Sequence, residues 1–410
     1  MAWTLVKDSF VDKSPADCLV LALIAVFPSF NKLMPLLIVM LGITLIWQRR
    51  ERVKLRSLLQ VGSPQLWFIL FYLIHVIGLL YTENWTYAEK DLSMKLSFLI
   101  LPFVLFFARI SLSNNTIVRA FLAGLFSACM FAFLFATYRS LINKEDNHWA
   151  YFTDSYFSFS MHRSYFATYL AVGALMAVRQ FFDSRNVIWL VITFTLTVST
   201  LLTFSKAGIL ILVCSLIVFA FYELSKKFSV KIGIIAGASV LTLFLTAIIS
   251  LPALSARFQK MVTASTQVKT QNNRSTESSS ARIIMWSTSI KVFAESPVLG
   301  VGTGDVSDAL DNKNRALGNV GVAEKSLNAH NQYLNTAVQL GVIGLVPLLM
   351  IFITSFRNAF LCKDLDTITL VAVLTITMLF ESFLETQAGI IPVTLLLLVF
   401  NSRINLSCHA

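Results

Sequence analysis

Apolar runs of bilayer-spanning length dominate the chain. A helix needs about 17–25 residues to cross the hydrocarbon core, and its backbone polar groups must be satisfied within the helix itself. Runs near 16–30, 33–48, 65–81, 92–108, 115–140, 161–182, 187–203, 205–224, 231–250, 340–356, 368–384 and 388–402 reach or approach that length. Of the 410 residues, 56% are hydrophobic and only 13% are charged, whereas a soluble domain carries about 25% charge. The expected fold is an all-α polytopic membrane protein with about twelve transmembrane helices. One long polar gap, from Leu251 to Ala329, interrupts the series.

Lys and Arg set the orientation, because cytoplasmic connections carry the excess positive charge. Arg49, Arg50, Arg52, Lys54 and Arg56 lie between the second and third runs, and Arg179 and Arg185 follow the sixth. Lys226, Lys227 and Lys231 follow the eighth run, and Arg357 and Lys363 the tenth. Counted in order, these connections all fall on one side, expected to be cytoplasmic together with both termini. The long gap then faces outward, into the periplasm of a Gram-negative cell. The expected division is residues 1–250 with nine spans, 251–339 as a periplasmic loop containing helices, and 340–410 with three spans and a cytoplasmic C-terminus. A net charge of +11 follows in large part from such anchors and requires no nucleic acid. Cys18, Cys129, Cys214, Cys362 and Cys408 lie in spans or on the cytoplasmic side, so no disulfide framework is implied. No cleavable signal peptide is evident, and the first run would serve as an uncleaved signal.

The gap has parts. Residues 262–281 are rich in Ser, Thr, Gln and Asn and are expected to be mobile. Ile283, Trp286, Ile290 and Phe293 recur at helical spacing, which predicts a helix over 281–295 lying on the membrane or on the bundle. Pro297 ends it. Gly300, Gly302 and Gly304 follow no strand, so they read as a flexible turn rather than a dinucleotide fingerprint. A polar helix then leads into Asn328-Ala-His-Asn-Gln-Tyr-Leu-Asn335 and the apolar run opened by Gly341. A second outer loop, 142–160, carries Trp149, Tyr151, Phe152, Tyr156 and Phe157. It suits either an interfacial aromatic belt or a platform for sugar rings.

Ionisable groups at membrane depth are costly and usually functional. His330 stands where the outer segment re-enters the membrane, and an imidazole titrating at about 6.5 suits a proton acceptor near neutral pH. Arg282 opens the 281–295 helix, where an anion would suit the helix end better. Lys206 lies in a tight turn, Thr203-Phe-Ser-Lys-Ala-Gly208, as a snorkelling anchor or as a cation offered to phosphate at a helix N-terminus. His162 and Arg163 open the sixth run at the outer face. Glu381 and Glu385, one helical turn apart at the outer end of the eleventh run, are placed to pair with these cations or to orient His330. Lys95 and His75 read as structural. No His, Cys or Glu cluster has metal-ligand spacing. Asp364-Leu-Asp366 resembles the Asp-x-Asp of metal-dependent glycosyltransferases, but the charge rule puts it opposite His330.

Three motifs carry a family resemblance in the expected order: Thr203-Phe-Ser-Lys-Ala-Gly-Ile209, Ala281-Arg-Ile-Ile-Met-Trp286 through Gly302, and Ala329-His-Asn-Gln-Tyr-Leu-Asn335 through Leu345. Together they resemble the O-antigen ligases and the related O-antigen polymerases and protein O-oligosaccharyltransferases. The resemblance covers roughly residues 160–400. It implies a C-type glycosyltransferase-like fold and inverting, metal-independent transfer without a cofactor, from an undecaprenyl-diphosphate-linked glycan to an acceptor hydroxyl at the periplasmic face of the inner membrane. It further implies that Arg282 and Lys206 hold the diphosphate, with Arg163 sharing that role, and that His330 acts beside the attacking hydroxyl. Lys206 stands where the family has Arg, keeping the charge but losing the bidentate fork. The leading reading is a ligase with lipid A–core oligosaccharide as acceptor. A polymerase or a protein O-oligosaccharyltransferase is the alternative, although the Arg-x10-Gly pattern expected of polymerases fails because position 293 is Phe. A membrane transporter is the reading from a different class. The absence of an internal repeat and the crowding of ionisable groups at the outer face weigh against it.

Overall fold

A computed structural model of the chain describes residues 13–48, 60–143, 148–250 and 278–407. The basic cluster at 49–56, the polar stretch at 262–277 and Cys408 lie outside them. Among the described residues all regular structure is helical. The first helices are α1 (Pro15–Val26), α2 (Met34–Trp47), α3 (Pro64–Ile77), α4 (Trp85–Lys95) and α5 (Ser97–Ala108). Next come α6 (Asn114–Ile142), α7 (Arg163–Ser184), α8 (Ile188–Leu202), α9 (Lys206–Lys227) and α10 (Val230–Ser250). After the gap follow α11 (Ser278–Glu295), α12 (Val306–Ala316), α13 (Gln332–Leu361), α14 (Leu365–Thr377) and α15 (Gln387–Ser407).

Among the described residues, six stretches are long and apolar enough to cross a membrane: Pro64–Tyr81, Trp85–Ala108, Asn114–Ile142, Arg163–Ser184, Lys206–Glu223 and Gln332–Leu361. Shorter apolar helices occupy the positions of the remaining runs. Caps place their starts. Ser14 accepts from the Asp17 N–H with Pro15 at the first helical position, and Ser113 accepts from the Thr116 N–H. Outward faces stay apolar, as at Leu36, Val39, Met40 and Ile43 of α2. Such a face is at home against lipid and a liability in water.

The fourth run departs from expectation. It begins as α4 at Trp85, and the helix breaks at Leu96. The inner face of α4 carries charge: Lys95 is fully buried, and its Nζ donates to Asp91 Oδ2 at 2.8 Å, Glu385 Oε2 at 3.1 Å and Gln339 Oε1 at 3.2 Å. Gln339 donates in turn to Asp91 Oδ2 at 2.9 Å and to the Thr303 carbonyl at 2.8 Å. The structural reading of Lys95 fits this network, which ties α4 to α13 and to the turn after α14.

Glycine shapes the entry of α13. Gly341 sits at φ 61°, ψ −157° within an otherwise helical path. The ladder breaks there and is replaced from outside. The Val338 and Gln339 carbonyls accept from the Val301 and Gly302 N–H groups, while the Val342 and Ile343 N–H groups donate to the Pro297 and Val298 carbonyls. The 297–302 loop is thus spliced into the helix. These two carbonyls and two N–H groups find partners outside the helix, as a water-poor site demands. The glycine turn read as flexible is therefore fixed by backbone bonds that its sequence does not announce. A Cβ at Gly341 would lie 2.2 Å from the Val298 carbonyl oxygen, so only glycine fits.

The segment after the gap folds into a small layer over one end of the bundle. Met285, Val292, Val306, Leu310 and Val322 pack with Val338 as its core. Hence α11 docks through Met285 and Val292, with Phe293 partly buried against them, while Ile283 and Ile290 point outward. That rotates the expected apolar face. The aromatic loop also divides: Phe157 and Tyr151 are buried, whereas Trp149 and Tyr156 are exposed. At the opposite end of the bundle, Asp364 caps α14, and Asp366 pairs with Arg179 and Asn114. These are structural roles. Among the described residues, Cys18, Cys129 and Cys214 are free.

Replacing Lys95 by Met would strand two buried carboxylates. Breaking a buried ion pair from one side costs about 3–5 kcal/mol. Lys95→Met should therefore lower the melting temperature of the detergent-solubilised protein well below that of a surface Lys→Met control.

Candidate functional site

The candidate residues converge on one carboxylate. After α14 ends at Thr377 the chain turns, so Glu381 and Glu385 do not share a helical face as expected. They diverge: Glu385 goes to Lys95, and Glu381 goes to the cations. Glu381 is only 5% exposed. Its Oε1 accepts from Arg282 Nη2 at 2.6 Å and from Ser164 Oγ at 2.9 Å. Its Oε2 lies 3.9 Å from His330 Nδ1, an electrostatic rather than a hydrogen-bonding separation. Burial pushes the Glu381 carboxyl up, but His330, Arg282 and His162 beside it outweigh burial and hold it below the usual carboxylate range. Glu381 thus pairs with Arg282 and lies beside His330 without a hydrogen bond to it.

Arg282 lies one turn inside α11, which starts at Ser278 rather than Ala281. Its Nε is buried without a hydrogen-bond partner. A guanidinium held along one edge by a carboxylate keeps a donor for a second anion.

His330 precedes α13 and has a left-handed backbone, φ 47°, a conformation that costs a non-glycine residue about 1–2 kcal/mol. Neighbours hold it there. Its N–H donates to Asn328 Oδ1 at 3.0 Å, and its carbonyl accepts from Trp286 Nε1 at 3.4 Å. Asn331 caps α13 by accepting from the Leu334 N–H, and its own N–H donates to Ser382 Oγ. The imidazole is 28% exposed, so it is both held and accessible.

The start of α7 joins the same cluster. Electrostatic neighbours of His162 include Glu381, Arg163, Arg282 and His330. Arg163 is ion-paired with Asp154 of the aromatic loop, which limits its freedom toward another anion. Lys206 is the first residue of α9, after a turn in which Phe204 has φ 49° and Ser205 Oγ accepts from the Gly208 N–H. A Cβ on Gly208 would meet Ala167 Cβ at 2.3 Å. The start of α9 is therefore packed against α7 one turn beyond Arg163, which sets Lys206 at the same end of the bundle. Ser164, Asn328 and Ser382 escaped the sequence reading. Ser164 directly follows the singled-out His162 and Arg163, and Asn328 opens the His330 motif, but a hydroxyl or amide alone carries no signal of its distant partner.

Because Glu381 titrates lower when folded than unfolded, its contribution to stability is complete above about pH 4.3 and is lost as pH falls through the lowered folded value. Glu381→Gln should therefore flatten the acid limb of a melting-temperature-against-pH curve and lower the plateau near neutrality. An unchanged acid limb would show that Glu381 is not the group responsible.

Residues 190–349 match a family model described as O-Antigen ligase. An uncharacterized protein of Haemophilus influenzae (strain ATCC 51907 / DSM 11121 / KW20 / Rd) is 31% identical over 150 residues, covering 35% of this chain and 36% of that protein. The chain thus spans about a third of the length of that curated relative. The family match contains Lys206, Arg282 and His330 and ends before Glu381. The chain thus has, among its described residues, several apolar helices of membrane-crossing length and, over residues 190–349, less than half of its length, is similar to the O-antigen ligase family model.

Proposed function

We propose that the chain is an O-antigen ligase, moving a glycan from undecaprenyl diphosphate to the lipid A–core oligosaccharide at the periplasmic face of the inner membrane. The observation that carries this reading is Glu381 facing Arg282 at 2.6 Å and His330 at 3.9 Å, at one end of a membrane bundle. In this reading about twelve helices cross the membrane, and the 251–339 segment is periplasmic.

The chemistry follows from those groups. An acceptor hydroxyl attacks the anomeric carbon, the bond from that carbon to the diphosphate oxygen breaks, and the configuration inverts. The hydroxyl proton passes to His330. Glu381 lies on the Nδ1 side of the ring, which favours the tautomer with its proton on Nδ1 and leaves Nε2 as the acceptor. Glu381 also stabilises the imidazolium that forms. Negative charge develops on the departing lipid diphosphate. The buried, unpartnered Nε of Arg282 and the ammonium of Lys206 at its helix N-terminus are donors suited to it. Lys206 supplies charge without a bidentate fork, so Arg282 carries more of the geometric selection. Arg163, bound to Asp154, contributes field more than direct contact. No metal is required by this set.

The test is reconstitution with an undecaprenyl-diphosphate glycan and purified rough lipopolysaccharide. Glycan should reach the acceptor with chelator present. Removing the general base should cost about 10²–10⁴ in rate, and removing one charge-stabilising donor about 10²–10³. His330→Ala and Arg282→Ala should therefore remain folded and lose most of their activity. Full turnover in His330→Ala would sink the mechanism, and transfer only to a peptide acceptor would move the assignment to protein glycosylation.

A further inference from the structure

The His330 and Glu381 segments approach each other as a strap, and one side chain closes it. The Asn331 N–H donates to Ser382 Oγ at 3.2 Å, and the Gln332 N–H donates to the Met378 carbonyl at 2.8 Å. Besides a bond from Nε2 to Thr336 Oγ1 on its own helix at 3.2 Å, the Gln332 amide adds two bonds of opposite polarity across the strap. Its Oε1 accepts from the Leu384 N–H at 2.6 Å, and its Nε2 donates to Glu385 Oε1 at 2.8 Å. Residues 331 and 332 thus grip the turn on both sides of Glu381. Behind Gln332, the other oxygen of Glu385 accepts from the buried Lys95. Lys95 is tied through Gln339 to the Gly341 splice. Gln332 itself is completely buried, and its tip lies among fixed partners rather than in the open site. Only a side chain offering an acceptor and a donor from one planar group satisfies both the Leu384 N–H and the Glu385 carboxylate.

We propose that Gln332, fixed by Glu385 and Lys95, is a positioning residue that sets His330 against Glu381. The inference rests on the reading of His330 as the general base. Its physical content is register. Loss of the amide lets the 330–332 and 378–385 segments slide, and a displacement of about 1 Å at reacting groups costs on the order of 10²-fold in rate. Arg282 sits on α11 and meets the strap only through Glu381, so the loss falls mainly on the transfer step rather than on donor binding.

The experiment measures kcat and donor KM for reconstituted variants, with melting temperatures in detergent. Gln332→Leu and Gln332→Glu should lower kcat ~10–100-fold while leaving donor KM essentially unchanged. Gln332→Glu combined with Glu385→Gln exchanges amide and carboxylate. It keeps an acceptor for the Leu384 N–H and an amide–carboxylate bond between the two positions, so kcat should recover to near wild type. A general loss of stability would not be expected to produce that kcat-specific fall and recovery. Wild-type kcat in Gln332→Leu beside an inactive His330→Ala overturns this proposal alone, as does a loss confined to KM or a double variant without recovery. Wild-type turnover in His330→Ala overturns the catalytic reading and the proposal with it. If Gln332→Leu does not fold, the double variant decides by the same criteria.

Discussion

Glu381 lies buried between Arg282, Ser164 and His330, and each of these comes from a different part of the chain. A carboxylate removed from water is costly unless it is paired and hydrogen-bonded. That requirement draws α7, α11 and the start of α13 to one turn. The arrangement sets Arg282, His330 and His162 around one buried carboxylate, with a buried guanidinium N–H left over.

The layer over the end of the bundle needs an equally firm attachment, because the Arg282–Glu381 contact holds only if α11 cannot drift. The splice at Gly341 supplies it. Four backbone hydrogen bonds pass between the 297–302 loop and the interrupted helix. Asp305 adds a second fastening by accepting from the Glu83 and Asn84 N–H groups. Below the splice, the Lys95 network resists separation of α4 from α13, since parting them would expose unpaired charge in a poorly solvated region. Scaffold and site are thus one connected set of polar contacts within an apolar bundle.

Much of this was legible in the residues. Long apolar runs announce membrane helices because lipid leaves the backbone few other choices. The cations and His330 stand out because charge is rare in such a chain. Glu381 and Glu385 stand out as well, but their four-residue spacing predicts a shared helical face. The turn after Thr377 sends them to different partners, which spacing alone does not reveal. The α11 face was also misread. Thr288 and Ser289 are buried beside Met285 and Val292, so apolar periodicity understated the buried side. The rigidity of the glycine turn was hidden for a similar reason: backbone amides bonding to another segment leave no mark in side-chain pattern.

In the proposed mechanism Arg282, Glu381 and His330 act as one unit, and groups that act together give non-additive losses when removed. The most direct measurement is a double-mutant cycle on glycan transfer using Glu381→Gln, His330→Ala and their combination. The account predicts that the double variant is little slower than His330→Ala alone, because the carboxylate acts through the imidazole. Losses that multiply independently, with Glu381→Gln slowing transfer as much in the His330→Ala background as in wild type, would contradict it.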